Sequence, residues 1–260
     1  MIVDTHLHLN TIDYEKDLDQ VIQRAYEQGI KKLIVIGMDE ATSLEAIKIA
    51  ETYDHVYATV GLHPGYVDDN DTNFIEPLLS HPKVVGIGET GLDLYWQQDN
   101  IEKQKACFMD QIKLSIKYQM PLVIHTRNSF DEAYELLLPY KNQAYGVFHC
   151  FSSHVDDARK AIDLGYYIGI DGPITFKNPK DLLPIVKEID LEHILLETDS
   201  PYLAPSPYRG KRNEPSYLIK VAKKIAEIKQ MSLDEVSEIT TKNANQLFKL
   251  GGPKVWKLKK

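Results

Sequence analysis

The pattern that decides the fold begins at Ile2-Val3-Asp4-Thr5-His6-Leu7-His8, an apolar run that ends in two histidines separated by one residue. Alternate side chains of an extended strand share one face, about 6–7 Å apart. His6 and His8 can therefore reach one metal ion at about 2.0–2.1 Å. A packed or solvated histidine pair is the alternative, because a lone His-x-His motif is weak evidence of a metal site. The stretch predicts a first strand that ends in a candidate chelate.

Strand-length apolar runs then alternate with segments whose apolar residues have helical spacing. After the first strand, the predicted strands cover 32–36, 56–62, 84–88, 122–124, 146–148, 166–170 and 193–197. The predicted helices cover 14–28, 44–49, 74–79, 104–118, 129–138, 156–164, 182–187, 217–228 and 233–248. This alternation predicts an α/β fold, a closed (β/α)8 TIM barrel with 233–248 as an extra C-terminal helix.

The composition is that of a chain able to bury a substantial core, with 43% hydrophobic residues among 260. We expect one domain over residues 1–260. No apolar run approaches the roughly 18–20 residues needed to span a bilayer, and a signal peptide is not recognisable. These features predict a cytoplasmic protein without a membrane partner. We also expect a monomer, although the sequence leaves the oligomeric state open, and a frayed basic end at 254–260.

Charge and cysteine content narrow the chemistry. The net charge of −8 argues against a protein that clamps long duplex nucleic acid by surface charge alone. Cys107 and Cys150 are the only cysteines, too few for a disulfide framework or a thiolate zinc site. A metal would therefore need nitrogen and oxygen ligands, and we expect both thiols to be buried.

Ligand-type side chains follow six of the predicted strands: His6, His8, His63, Glu89, His125, His149 and Asp199. In a barrel the carboxyl ends of the strands converge on one mouth, where the active sites of this fold are built. Each residue alone has a structural alternative, such as a turn cap for His63, a packed histidine for His125 or a helix cap for Asp199. Because the same position recurs on six strands, the pattern favours a metal site.

The number of ligands points to two ions. Four histidines and two carboxylates exceed the needs of one tetrahedral zinc, whereas two ions about 3.5–4 Å apart that share a carboxylate would use them all. Glu89, on the fourth strand, is the candidate bridge. Such a pair lowers the pKa of a bound water, which predicts hydrolysis of an ester or phosphodiester. Nitrogen ligands favour Zn, Mn or Ni over Mg by affinity, while availability can reverse that order.

The chain resembles the TatD-type metal-dependent hydrolases, within the amidohydrolase-like barrels, over nearly its whole length. The resemblance rests on residues 4–8, 61–64, 86–93, 147–152, 196–202 and 209–215. It implies metal ligation by His6, His8, Glu89, His125, His149 and Asp199. It also implies a magnesium- or zinc-dependent deoxyribonuclease, often a 3′ to 5′ exonuclease acting on DNA. Ser153 stands where the family commonly has glycine, and Leu94 where it commonly has an aromatic residue, so two mouth loops differ.

We assign catalytic roles to three of these residues. Asp199 would orient or deprotonate the nucleophilic water, Glu89 would bridge the ions, and His63 would assist from outside the ligand set. A rival function is hydrolysis of a cyclic amide, lactone or other small carbonyl compound by a metal-dependent amidohydrolase or lactonase. Many such barrels use a carbamylated lysine as the bridge, and no lysine ends the predicted fourth or fifth strand.

Candidate substrate-binding residues follow the eighth strand, where this fold often binds phosphate: Arg209, Lys211 and Arg212. A solvated basic turn is the alternative. Aromatic side chains in the predicted mouth loops are candidates for stacking on a nucleobase: Tyr95, Trp96, Phe151, Phe176 and Tyr202. Core or rim packing explains each of them equally well.

Overall fold

Eight parallel strands form one sheet in the computed structural model of the chain, which describes residues 1–96 and 98–251. The strands follow one another in sequence order. Their bounds are Ile2–Leu7 (β1), Ile30–Ile36 (β2), Val56–Val60 (β3), Val84–Asp93 (β4), Leu122–Arg127 (β5), Gly146–Phe148 (β6), Tyr166–Ile170 (β7) and Ile194–Leu196 (β8). The predicted basic tail at 254–260 lies outside the described residues.

The sheet closes between its first strand and the residues that follow its last strand. Leu7 forms a parallel bridge with Ser200. The backbone N–H of His8 donates to the carbonyl of Ser200 at 2.8 Å, and that of Asp199 donates to the carbonyl of His6 at 2.9 Å. The predicted (β/α)8 barrel is confirmed, and its closure joins the chain segments that carry the first and last predicted ligands.

One α-helix follows each strand, and a further helix ends the described chain. The helices are Leu18–Glu27 (α1), Glu40–Thr52 (α2), Ile75–Leu78 (α3), Ile101–Tyr118 (α4), Phe130–Leu137 (α5), Val155–Asp163 (α6), Leu182–Glu188 (α7), Leu218–Lys229 (α8) and Leu233–Phe248 (α9). The extra C-terminal helix is thus α9. Within the described residues, none of the helices combines the length and apolar character that crossing a membrane requires.

Some strand ends differ from the prediction. The apolar run of β4 ends before Glu89, but the strand continues to Asp93 because its backbone keeps pairing with β5, in a register that places Gly91 beside His125 and Asp93 beside Arg127. A pattern of apolar residues cannot show that a buried strand continues through polar residues, so the prediction ended β4 too early. The longer β4 carries a second carboxylate to the mouth.

Two apolar layers hold the barrel together, because successive side chains of a strand face opposite sides of the sheet. One layer lies between the strands and the surrounding helices. The other lies inside the amino end of the barrel, where Val3, Val85 and Val123 pack with Leu247 and Phe248 of α9. The helix α9 therefore fills the foot of the barrel and leaves the opposite end for chemistry.

Candidate metal centre at the barrel mouth

The barrel brings all seven predicted ligand-type residues to its carboxyl end. His6, Glu89 and His125 lie within strands, and the other four follow strand ends closely. Their side chains are largely shielded from solvent, with exposures between 0% for His6 and 16% for His63 and His125. Buried polar groups need partners, and polar atoms of these side chains lie within contact distance of one another.

A first group of donor atoms surrounds one point near β1. The Nε2 atoms of His6 and His8 are 3.2 Å apart. Asp199 Oδ1 lies 3.6 and 3.4 Å from these nitrogens, and Glu89 Oε2 lies 3.5 and 3.7 Å from them. Donors bound tetrahedrally at about 2.1 Å to one ion are about 3.4 Å apart. Five of the six distances among these four atoms are therefore close to those of a tetrahedral ligand set.

A second group surrounds the other oxygen of Glu89. Glu89 Oε1 lies 2.9 Å from His149 Nε2, 3.0 Å from His125 Nδ1 and 3.5 Å from His63 Nε2. The nitrogens of His125 and His149 are themselves 3.4 Å apart. The two carboxylate oxygens of Glu89 thus face two different sets of histidines, which is the arrangement that a bridging ligand requires.

The histidines of the site differ in their electrostatics. Burial lowers the pKa of His6 to about 4 and that of His63 to about 3, so both are neutral, as a ligating imidazole must be. Burial would lower the pKa of His8 as well, but Asp199 and Glu89 raise it, and a divalent ion bound there would displace the proton. Burial opposes charge on Glu89 as well, yet the surrounding histidines, His149 first, hold the pKa of its carboxyl well below the usual range. The donors are nitrogen and oxygen atoms, which suit zinc, manganese or nickel.

Local backbone geometry delivers Glu89 to the centre. Gly88 has a φ of +148°, and a Cβ atom there would lie 2.6 Å from the carbonyl oxygen of Val123. Only glycine fits this conformation and this close approach. The backbone N–H of Glu89 donates to the carbonyl of Gly37 at 2.7 Å, which ties the carboxylate-bearing residue to the end of β2.

Asp93 is a residue of the site to which sequence reasoning assigned no role. Its Oδ2 lies 3.2 Å from Nε2 of His125, whose other ring nitrogen faces Glu89. Burial disfavours the charged forms of Asp93 and His125, but the contact between them favours both. It lowers the pKa of Asp93 to about 2. Together with Glu89, it raises the pKa of His125 to about 9. A carboxylate on the far nitrogen orients a ligating histidine. The signal that could have revealed Asp93 was its place beyond Glu89 on the same strand.

Further carboxyl groups lie beneath the mouth. Asp4 accepts hydrogen bonds from the hydroxyl and backbone N–H of Thr198 at 2.7 and 3.1 Å, which joins β1 to the segment that carries Asp199. Burial raises the pKa of Asp4 and of Asp171 to about 7, and that of Glu197 well above its usual range. Cys150, with Asp171 and Asp199, offers ligand atoms within 4.8 Å of one another. Both cysteines are free and partly buried, and burial raises the pKa of both thiols, that of Cys150 well above its usual range.

The three predicted substrate-binding cations have different surroundings. Arg209 and Lys211 are exposed, and the guanidinium carbon of Arg209 lies 4.1 Å from the ring centre of Phe176. Arg212 instead donates to both carboxylate oxygens of Asp17, at 2.8 and 2.7 Å, and to Glu214 at 3.1 Å. Its role in substrate binding stays a prediction, and its contacts explain it as a structural ion pair.

The aromatic side chains predicted to stack on a nucleobase also differ in their exposure. Phe151 is 2% exposed and packs against Phe130 and Phe148, so the core alternative is right for it. Tyr202 is 52% exposed, and its ring centre lies 6.1 Å from that of His8. The most exposed aromatic of the set is Trp96, at 70%.

Comparison with known proteins identifies the family of the chain. The family described as TatD related DNase matches residues 3–249. YabD of Bacillus subtilis, an uncharacterized metal-dependent hydrolase, is 41% identical over 96% of this chain and 100% of its own length. An uncharacterized metal-dependent hydrolase named TatD, from Mycobacterium tuberculosis, is 33% identical over 96% of this chain and 98% of its own.

A solved structure shows the same barrel. The crystal structure of YJJV, a TatD homologue from Escherichia coli K12, superposes with a TM-score of 0.90 at 28% identity. The superposition covers 96% of this chain and 98% of YJJV. The barrel, its clustered ligand-type residues and these relatives lead to one conclusion. The chain is a metal-dependent hydrolase of the TatD family.

Proposed function

We propose that the protein is a two-metal phosphodiesterase that cleaves DNA, working from the 3′ end as the family resemblance implies. The main support for the proposal is that the two carboxylate oxygens of Glu89 face different histidines. Oε2 faces His6 and His8, and Oε1 faces His125 and His149. Two bound divalent ions would acidify a water and stabilise the charges that develop on the attacking and leaving oxygens. In this proposal His6, His8 and Asp199 would hold one ion, His125 and His149 would hold the other, and Glu89 would contribute an oxygen to each.

Asp199 is suited to handle the attacking water. Its side chain is 13% exposed, whereas those of His6, His8 and Glu89 are between 0% and 4% exposed. The carboxylate of Asp199 is therefore the donor of the first group that substrate and solvent can reach. It would orient the water and accept its proton at a carboxylate oxygen. His63, 16% exposed and 3.5 Å from Glu89, lies where it can contact the phosphate or help to hold the second ion.

Cations at the rim support a phosphodiester substrate. Arg209 and Lys211 are exposed in the segment after β8, in a chain whose net charge is −8. In the part of the chain that the structure describes, neither side chain forms an ion pair with a carboxylate. Loops after the seventh and eighth strands of this fold often bind phosphate. A local cationic rim in an acidic protein would direct a polyanion to the mouth.

The test is a substrate screen of the purified protein with defined metal content. We expect Zn²⁺, Mn²⁺, Ni²⁺ or Mg²⁺ to support shortening of 5′-labelled single-stranded DNA, one nucleotide at a time from its 3′ end. Glu89→Gln should abolish this activity. Glu238→Gln, which changes an exposed carboxylate of α9 at the barrel foot, is the matched control and should not.

Two outcomes would contradict the proposal. One is turnover of lactones or cyclic amides together with no cleavage of DNA under any metal, which would favour the carbonyl hydrolase. The other is DNA cleavage that survives Glu89→Gln at the rate of the wild type, because a contaminating nuclease would then account for it.

A further inference from the structure

The loop after β4 exposes two large aromatic side chains beside the metal centre. Trp96 is 70% exposed and Tyr95 is 51% exposed. Their ring centres are 4.7 Å apart, and the rings are nearly perpendicular at 87°. Aromatic surface left in water costs free energy that burial would recover. A neighbouring pair kept exposed at the rim of a site therefore suggests a surface that a ligand covers.

A cation accompanies the aromatic pair. Arg127 ends β5, and its guanidinium carbon lies 4.4 Å from the ring centre of Tyr95 and 5.5 Å from that of Trp96. Both distances are within the range of a cation–π contact. Among the described residues, no carboxylate forms an ion pair with Arg127, so its charge remains available to an anion. The cluster thus combines an open ring face with an uncompensated positive charge.

Asp93 contacts both the cluster of Tyr95, Trp96 and Arg127 and the candidate metal centre. Its Oδ1 accepts hydrogen bonds from the backbone N–H groups of Tyr95 and Trp96, each at 2.9 Å. Its Oδ2 faces His125 Nε2 at 3.2 Å. Arg127 stands two residues after His125 on β5, which places the two side chains about 6–7 Å apart along the strand. One ligand can therefore contact the cluster and the centre together.

The same pairing of arginine with an aromatic ring recurs across the mouth. Arg209, which follows β8, lies over Phe176, which follows β7, at 4.1 Å. In an eight-stranded barrel whose strands run in sequence order, β8 is four strands from β4 and so lies opposite it. A linear ligand that crosses the metal centre would meet one such pair on each side.

We propose that Tyr95, Trp96 and Arg127 form a nucleotide-binding subsite, in which a base of the substrate strand stacks on Trp96 and its phosphate contacts Arg127. The subsite deepens the phosphodiesterase function proposed above and rests on it. Stacking on aromatic side chains tolerates every base, because each base has a π face. A phosphate-bearing heterocycle matches both halves of the cluster, whereas a plain anion or a plain apolar group matches only one.

A cycle of paired changes tests the stacking. The substrates are one single-stranded oligonucleotide and the same strand with abasic residues at its two 3′-terminal positions. Trp96→Ala should raise KM for the intact strand about 5- to 150-fold, the range expected for a lost base stack, without changing metal content. It should leave KM for the abasic strand within about twofold, because the two changes remove one contact. Tyr26→Ala, which removes another exposed ring, is the control.

Binding to the tryptophan gives a readout that does not need turnover. Trp96 and Trp256 are the two tryptophans of the chain. In a Trp256→Phe background, thymidine 5′-monophosphate should quench the emission of Trp96 saturably, whereas deoxyribose 5-phosphate should not. Arg127→Gln should weaken the nucleotide more than it weakens thymidine, which lacks the phosphate.

The outcomes separate the subsite from the activity. Quenching by the nucleotide alone, in a protein that cleaves no DNA, would support the subsite while contradicting the phosphodiesterase function. Equal increases of KM for the intact and abasic strands would overturn the subsite while the function stands. Absence of quenching, or equal quenching by the sugar phosphate, would overturn it as well.

Discussion

Replacement of Glu89 by glutamine should remove both metal ions at once. Glutamine keeps the size of the side chain, but it loses the negative charge, and its amide nitrogen cannot serve as a ligand. One oxygen of Glu89 lies 3.5 and 3.7 Å from His6 and His8, and the other lies 2.9 and 3.0 Å from His149 and His125. Both groups of donors therefore lose a charged partner through one substitution.

The magnitude follows from the number of ligands lost. Loss of a partner that only supports a ligand costs about 10–100-fold in metal affinity. Loss of a ligand itself should cost at least about 100-fold for each ion, which is about 2.8 kcal/mol each. His8→Ala is the matched comparison, because His8 belongs to the first group alone. We expect it to keep about one ion per chain.

Metal analysis by mass spectrometry after desalting checks the stoichiometry, and competition with a chromophoric chelator checks the affinity. Circular dichroism confirms that each variant is folded. The reasoning would be refuted if Glu89→Gln retained two ions per chain with the affinity of the wild type. A Glu89→Gln protein with one tightly held ion would place this carboxylate in one group only.

Three further predictions concern other parts of the site and its frame. Asp199→Asn should lower kcat by about 10²–10⁴-fold with little change in KM, and steady-state kinetics at the wild-type rate would assign proton transfer elsewhere. Arg209→Ala should raise KM for DNA and flatten its salt dependence without changing metal content, and unchanged kinetics at both low and high salt would mark it as a solvated residue. Burial alone would raise the pKa of Glu214, but hydrogen bonds from Arg24 and Arg212 lower it from 4.5. The ion pair therefore stabilises the fold fully above about pH 4.5, and this stabilisation is lost as pH falls through the lowered pKa of Glu214. Glu214→Gln should lower the free energy of unfolding by about 1.5–3 kcal/mol at pH 7. Denaturant titrations should show that this difference shrinks towards pH 3. A deficit independent of pH would contradict the ion-pair explanation.

The architecture was predicted from local sequence patterns, which can be recognised without any knowledge of tertiary contacts. Strands buried on both faces appear as continuous apolar runs, and β6 and β7 have the bounds that their runs predict. The ligand-type residues could be picked out because each interrupts or ends such a run. The prediction of one mouth then needed only the parallel direction of the strands.

Roles that depend on pairing between distant segments could not be predicted. Asp93 orients His125 only because β4 continues beyond its apolar run and pairs with β5. Arg212 was assigned to substrate, yet it lies beside Asp17, which is 195 residues away in the chain. No local pattern contains a partner at that separation.

The sequence by itself therefore determined the order of strands and helices, the family and the identity of the ligand-type side chains. Only the tertiary structure decided which donor atoms face one another, and in particular that the two oxygens of Glu89 face separate groups. The physical reason is that hydrophobic periodicity is a local property of the chain, whereas distances between donor atoms are set by barrel closure and strand register. A shift of one residue in the register of a strand would turn the ligand-type side chains of that strand out of the barrel.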